Sequence, residues 1–213
     1  MIEIHSKLPA QGITIFSVMS ALAQKLNALN LSQGFPDFDA PPELLQALSK
    51  ATLDGLNQYA PGDGLLPLRE QLAQLFLQRD QLQLNPTTEI TITPGATIGI
   101  FSAIQAVVES GDEVIIFDPS YDSYAPSVKL VGATPIHIPL QTPSFTVDWD
   151  QVKSAITDKT RMVIVNTPHN PTGAIWTKQD WLNLIELIQD KNIIVLSDEV
   201  YEHLIFDGQK HYS

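Results

Sequence analysis

No cysteine occurs in the 213 residues, which excludes disulfides, thiolate metal sites and cysteine nucleophiles. Positive charge is also scarce. Twelve lysines and arginines stand against 24 aspartates and glutamates, for a formal net charge of −12. That balance works against nucleic acid or anionic lipid as a partner, and an anionic ligand would need a locally favourable pocket. No window approaches the roughly 20 apolar residues of a membrane span. The N-terminus, MIEIHSKLPAQGITIF, lacks the charged start, apolar stretch and small-residue cleavage site of a signal peptide. A soluble, cytoplasmic protein is expected. The five histidines (His5, His137, His169, His203 and His211) show no metal-ligand spacing, so no metal site is expected.

What is present is a chain that is 44% hydrophobic, enough for one large domain or part of a bigger one. Apolar residues recur at helical spacing over 14–29, 42–54 and 65–79. Between these helices lie Gly- and Pro-rich loops at Gln33–Asp37 and Asn57–Gly64. From residue 88 the pattern becomes an alternation of strands and helices. Strands are expected at 89–93, 113–118, 133–138, 161–166 and 192–198, with helices over 97–108, 123–131, 148–156 and 178–189. Repeated β–α–β units with β-branched strands predict an α/β fold: a mostly parallel sheet sandwiched by helices.

Ligands of open parallel sheets sit beyond the carboxyl ends of the strands, and four segments of unusual chemistry fall there. Gly95-Ala96-Thr97 reads either as a plain turn with Thr97 as helix cap or as a helix start whose free N–H groups cradle a phosphate. Tyr121 and Tyr124 either cover the sheet edge or offer a face to a flat heterocycle. Asn170-Pro171-Thr172-Gly173 is ordinary turn chemistry when taken alone. Asp198 closes the apolar run Ile193–Leu196, where an unpaired carboxylate is costly, so a cation or a hydrogen-bond donor should meet it. For Tyr201 to reach the same ligand, the chain must bend after Asp198.

Together these groups suit pyridoxal phosphate better than any of them does singly. A carboxylate facing the ring nitrogen keeps it protonated and makes the ring a stronger electron sink. At ~3 Å and an effective dielectric near 20, that pairing is of order 5 kcal/mol before desolvation.

The motifs Ser32–Phe38, Asn57–Gly62, Gly95–Thr97, Asp118–Tyr124, Asn166–Gly173 and Ser197–Tyr201 occur in the order found in fold-type I aminotransferases. The sequence resembles that superfamily, and within it the methionine and kynurenine aminotransferase group. The resemblance implies a fold with the large domain of the pyridoxal-phosphate transferases over 32–213, incomplete in this chain, and a segment 1–31 belonging to the small domain. It implies that backbone N–H groups of Ala96 and Thr97 meet the cofactor phosphate and that Tyr121 stacks on the ring. Asn170 and Tyr201 would contact the ring hydroxyl oxygen, and Asp198 the ring nitrogen. Gly34 would line the substrate pocket. Tyr59 would reach the phosphate of the neighbouring subunit in a homodimer, and Asn170–Pro171 would be a cis peptide. The activity implied is transfer of an amino group from methionine and other large apolar or aromatic amino acids to a 2-oxo acid.

The family's Schiff-base lysine follows a Ser-rich strand end after the Asp–x–x–Tyr motif. Lys191 is expected at the wrong end of its strand, and Lys210 lies in a polar loop too close to Tyr201. The chain alone is therefore expected to be inactive. The family's sheet would set the strands near 134, 114, 162 and 194 side by side, leaving 89–93 without a neighbour and the isolated chain prone to aggregate. Other readings are a lyase or synthase on the same scaffold, a nonfunctional remnant, or a cofactor-binding regulatory domain. The acidic charge and the absence of a basic helix-turn-helix region weigh against the last.

Overall fold

The computed structural model describes residues 2–3, 5–8, 12–34 and 36–213. Backbone contacts divide the chain into one unit of residues 13–93 and another comprising 94–213 with the N-terminal segment.

The first unit is helical. Helix α1 (Ile15–Leu26) is capped by Thr14, whose side chain accepts from the Ser17 N–H, and it ends at Asn27 in the left-handed region. Helices α2 (Pro42–Leu53) and α3 (Leu66–Asp80) follow, each with proline in its first turn, where a missing N–H costs nothing. Among the described residues of this unit the one buried side chain is Arg69. Its guanidinium pairs with Asp63 at 2.9 Å and donates to the carbonyls of Gly64 (3.1 Å) and Pro86 (2.6 Å). The loop before α3 folds around that cation. Gly64 within it has φ +92°, and a Cβ there would collide with the Ile92 side chain.

The second unit holds α4 (Ala96–Val107), β1 (Glu113–Asp118), α5 (Tyr124–Leu130), β2 (Thr134–Pro139), α6 (Trp149–Ala155), β3 (Thr160–Asn166), α7 (Lys178–Ile188) and β4 (Ile194–Asp198). The four strands form one parallel sheet in the order β2-β1-β3-β4. Strand period sorts the core. Val114, Ile116, Met162 and Ile164 pack with Ile100, Ile104 and Val128 on the face covered by α4 and α5. Ile115, Phe117, Val163 and Val165 point the other way, into Val152, Trp176 and Leu184 beside α6 and α7. Both faces are covered, which is why these strands read as continuous apolar runs. Each fully buried Val or Ile contributes about 1.5–3 kcal/mol. The crossover through α5 lies on one face and those through α6 and α7 on the other, as right-handed connections require when the chain reverses direction across a sheet.

One element departs from expectation. Residues 89–93 form no strand. The alternation of isoleucine and threonine suits a strand, but among the described residues no other strand runs alongside, and backbone groups without a ladder do not make one. Ile92 N instead donates to the Asp63 carbonyl at 3.0 Å. The strand pairing 134–114–162–194 otherwise follows the order that the resemblance implied. Native-state hydrogen exchange should show slow amides at 114–117 and 162–165 and no run of protection across 89–93. A protected run there would mean that a fifth strand forms.

Candidate functional site

Parallel pairing brings the carboxyl ends of all four strands to one edge, with Asp118 opposite Pro139 and Asn166 opposite Asp198. A cavity of about 240 Å³ opens there, lined by Ala96, Thr97, Tyr121, Asn170, Asp198 and Tyr201, and also by Ile100, Tyr124, Asn166 and Val200. The sheet order places this edge where the chain reverses direction, between β1 and β3, the usual crevice of such folds. A larger cleft of about 580 Å³ sits at the amino ends of the strands, lined by Lys159, Arg161, Asp190 and Lys191 among others. Its described lining is mostly charged, with no aromatic side chain, whereas Tyr121, Tyr124 and Tyr201 converge at the carboxyl edge.

Each wall of the smaller cavity has a distinct chemistry. Helix α4 is preceded at its N-cap by Gly95, which has φ +90° and gives no side-chain cap. Thr97 lies inside the helix, so it is not the cap that a plain-turn reading assigns to it. The first N–H groups of a helix have no intrahelical acceptor and carry the positive end of its dipole, so this wall favours an anion. Across from it in chemical character is Asp198, 9% exposed. Its Oδ2 accepts from the Tyr124 hydroxyl at 2.5 Å, and its Oδ1 from Val200 N at 3.3 Å. Burial, followed by the hydrogen bond to Asp198 and that residue's charge, holds the Tyr124 phenol far above its ordinary pKa.

The chain does bend after Asp198. Hydrogen bonds Glu202 N to Glu199 O and Leu204 N to Tyr201 O close a turn there, and Tyr201 joins the same cavity as Asp198. Tyr121 stands edge-on to Tyr124, with ring centroids 5.7 Å apart at 72°, and its hydroxyl lies 3.4 Å from Thr97 Oγ1. The Asn170–Pro171 peptide is cis. The segments after β3 and β4 are tied by Asn166, whose Oδ1 accepts from Asn170 N at 2.8 Å while its Nδ2 donates to the Asp198 carbonyl at 2.9 Å.

Residues 27–213 match the family "Aminotransferase class I and II". The chain belongs to that aminotransferase family. It is 49% identical over 209 residues to the methionine aminotransferase of Escherichia coli strain K12, covering 98% of this chain and 54% of that protein. It is 38% identical to human kynurenine–oxoglutarate transaminase 3 over 89% of this chain and 44% of that one. The solved structure of YbdL from Escherichia coli, in which a methionine aminotransferase function was identified, superposes with a TM-score of 0.96 at 48% identity. That superposition covers all of this chain and 56% of the other. The chain thus spans about half the length of the curated relatives it matches.

Aminotransferases of this family imply pyridoxal phosphate, and the donor set suits it: N–H groups for a phosphate at one wall, a buried carboxylate for a ring nitrogen at another, and aromatic and amide groups between. Gly34 and Tyr59 belong to the first unit, where Tyr59 is fully exposed. Phe35, in the motif around Gly34, lies outside the described residues. Lys191 lines the cleft at the amino ends of the strands, and the Lys210 ammonium sits over the Tyr212 ring at 5.1 Å. Sequence reasoning named neither Asn166 nor the bond from Tyr124 to Asp198 as parts of the site. A buried amide at a strand end was the available signal for Asn166. Nor did spacing bring Glu199, Glu202 and His211 together, although their ligand atoms lie within 4.8 Å of one another. His211 Nε2 lies 2.8 Å from Glu199 Oε2 there.

Two outcomes follow from this geometry. Asn166→Ala takes the acceptor from the half-buried Asn170 N–H and one of two donors from the Asp198 carbonyl, and should cost about 1–3 kcal/mol in urea unfolding. Burial lowers the pKa of His169 from its ordinary 6.5, only partly offset by the Pro119 carbonyl and the Asp118 charge. Below about pH 6.5 the unfolded chain takes up a proton at this residue that the folded chain resists, so its contribution to stability falls as pH drops. The thermal midpoint should fall from pH 7 to 5, and less steeply in His169→Gln.

Proposed function

We propose that this chain carries the cofactor-recognition part of an aminotransferase that passes the amino group of methionine, and of other large apolar or aromatic amino acids, to a 2-oxo acid. The observation that carries the reading is the single cavity in which the start of α4, Tyr121, Asn170, Asp198 and Tyr201 meet. The high identity to a methionine aminotransferase supports the substrate class.

When bound, pyridoxal phosphate supplies a protonated heterocycle that withdraws electrons from the amino acid's Cα. The N–H groups of Ala96 and Thr97 bind its phosphate, helped by the dipole of α4. Asp198 holds a proton on the ring nitrogen, a role that a carboxylate fixed by two hydrogen bonds can fill with little reorganisation. Tyr121 lies against the ring face, while Asn170 and Tyr201 donate to the ring hydroxyl oxygen. Gly34 leaves room for the substrate, and Tyr59 reaches the phosphate held by a second copy, so the working form is a homodimer. In this reading residues 1–31 belong to the small domain, residues 32–213 to the large one, and the protein works in the cytoplasm. Neither Lys191 nor Lys210 captures the cofactor carbonyl.

Titration of the 213-residue chain with pyridoxal phosphate, followed by fluorescence quenching, tests this reading. Asp198→Asn should weaken binding on the order of tenfold to a hundredfold, since each tenfold is 1.4 kcal/mol. Tyr121→Ala should cost about threefold to tenfold. Borohydride treatment should leave no reduced cofactor on Lys191 or Lys210 by mass spectrometry. Binding that ignores both substitutions would remove the cavity from consideration. Product analysis of a protein of the relatives' length, supplied with methionine and a 2-oxo acid, separates amino transfer from elimination on the same scaffold.

A further inference from the structure

Tyr124 lines the cavity yet is only 2% exposed, so it presents almost no surface to a ligand. It opens α5, and its hydroxyl reaches Asp198 across 74 positions of sequence. Its ring supports Tyr121 edge-to-face from the same place. One buried side chain therefore touches both the carboxylate and the aromatic that would flank a heterocycle.

We propose that Tyr124 is a positioning residue for the ring nitrogen: its hydroxyl holds the Asp198 carboxylate turned into the cavity while its ring braces Tyr121. This rests on the pyridoxal-phosphate reading above. A short O–H···O⁻ bond is about twice as strong as a neutral one, so it is well suited to selecting one carboxylate rotamer. Among the described residues, the other hydrogen bond at the carboxylate is from the Val200 amide at 3.3 Å, which is too long to fix it alone. The phenol stays a donor over the whole working pH range, because burial and Asp198 both oppose its ionisation. Phenylalanine at this position keeps the contact with Tyr121 and removes only the donor.

The test compares two ligands on the 213-residue chain: pyridoxal phosphate and the carbocyclic analogue in which CH replaces the ring nitrogen. The wild-type chain should prefer pyridoxal phosphate by about tenfold or more, and the preference should fall to within about twofold in Asp198→Asn, where the nitrogen's partner is lost. Tyr124→Phe should erase most of the same preference, and the double variant should add little beyond either single change, as expected for groups that act as a unit. If Tyr124→Phe weakens both ligands equally and leaves the preference intact, the residue is merely structural and the proposal is overturned. If the wild-type chain shows no preference, the reading of the cavity fails before Tyr124 is reached.

A second measurement needs no variant. In proton spectra of the wild-type chain, the Tyr124 hydroxyl should resonate well downfield. It should move when pyridoxal phosphate is added and move less with the analogue. Equal response to the two ligands overturns the assignment even where Tyr124→Phe does not fold.

Discussion

Everything at the carboxyl edge depends on the parallel register of β3 against its neighbours. A parallel pair cannot be joined by a tight hairpin, so each connection must cross a face of the sheet and return, and every strand then ends on the same side. In this register Asn166 lies opposite Asp198, at the last rung of the β3–β4 ladder. Two polar side chains thus stand side by side where apolar strands give way to loops. A slip of one residue would send Met162 and Ile164 to the wrong face and part this pair. The apolar core on both faces forbids the slip, so the packing of Val and Ile residues also positions the polar groups.

The electrostatic arrangement runs against the composition. A chain with net charge −12 repels an anion at long range. The anion-attracting wall is made without lysine or arginine, by backbone N–H groups at the start of a helix with no side-chain cap. Nearby, among the described residues, Asp198 accepts from Tyr124 and Val200 and pairs with no cation. The carboxylate is thereby satisfied enough to be tolerated and still lacks a full counter-charge. That is the condition under which a protonated ring would be welcome.

Much of the fold was legible because local signals agreed. Runs such as Val114–Phe117 and Met162–Val165 are too apolar and β-branched for anything but strands covered on both sides. Thr177 and Asp180 mark the start of α7 by a reciprocal cap. The segment 89–93 shows the limit of the same reasoning: its pattern suits a strand, but a strand exists only with a neighbour, and pairing is not a local property. Asn166 and Tyr124 escaped for a related reason. Their hydrogen bonds to the Asp198 residue span 32 and 74 positions of sequence, and no periodicity encodes a contact of that length.

The order of the motifs and the chemistry of their residues decided the family, the succession of strands and helices, and the list of groups able to meet a phosphorylated heterocycle. Those follow from short-range rules, in which each residue is read against its near neighbours. The tertiary structure decided which of those groups share one cavity, that the chain turns after Asp198 to bring Tyr201 back, and that the costly carboxylate finds its donor in Tyr124. Such choices depend on strand register and on helices crossing a sheet, where residues distant in sequence are brought within bonding distance by the burial of others.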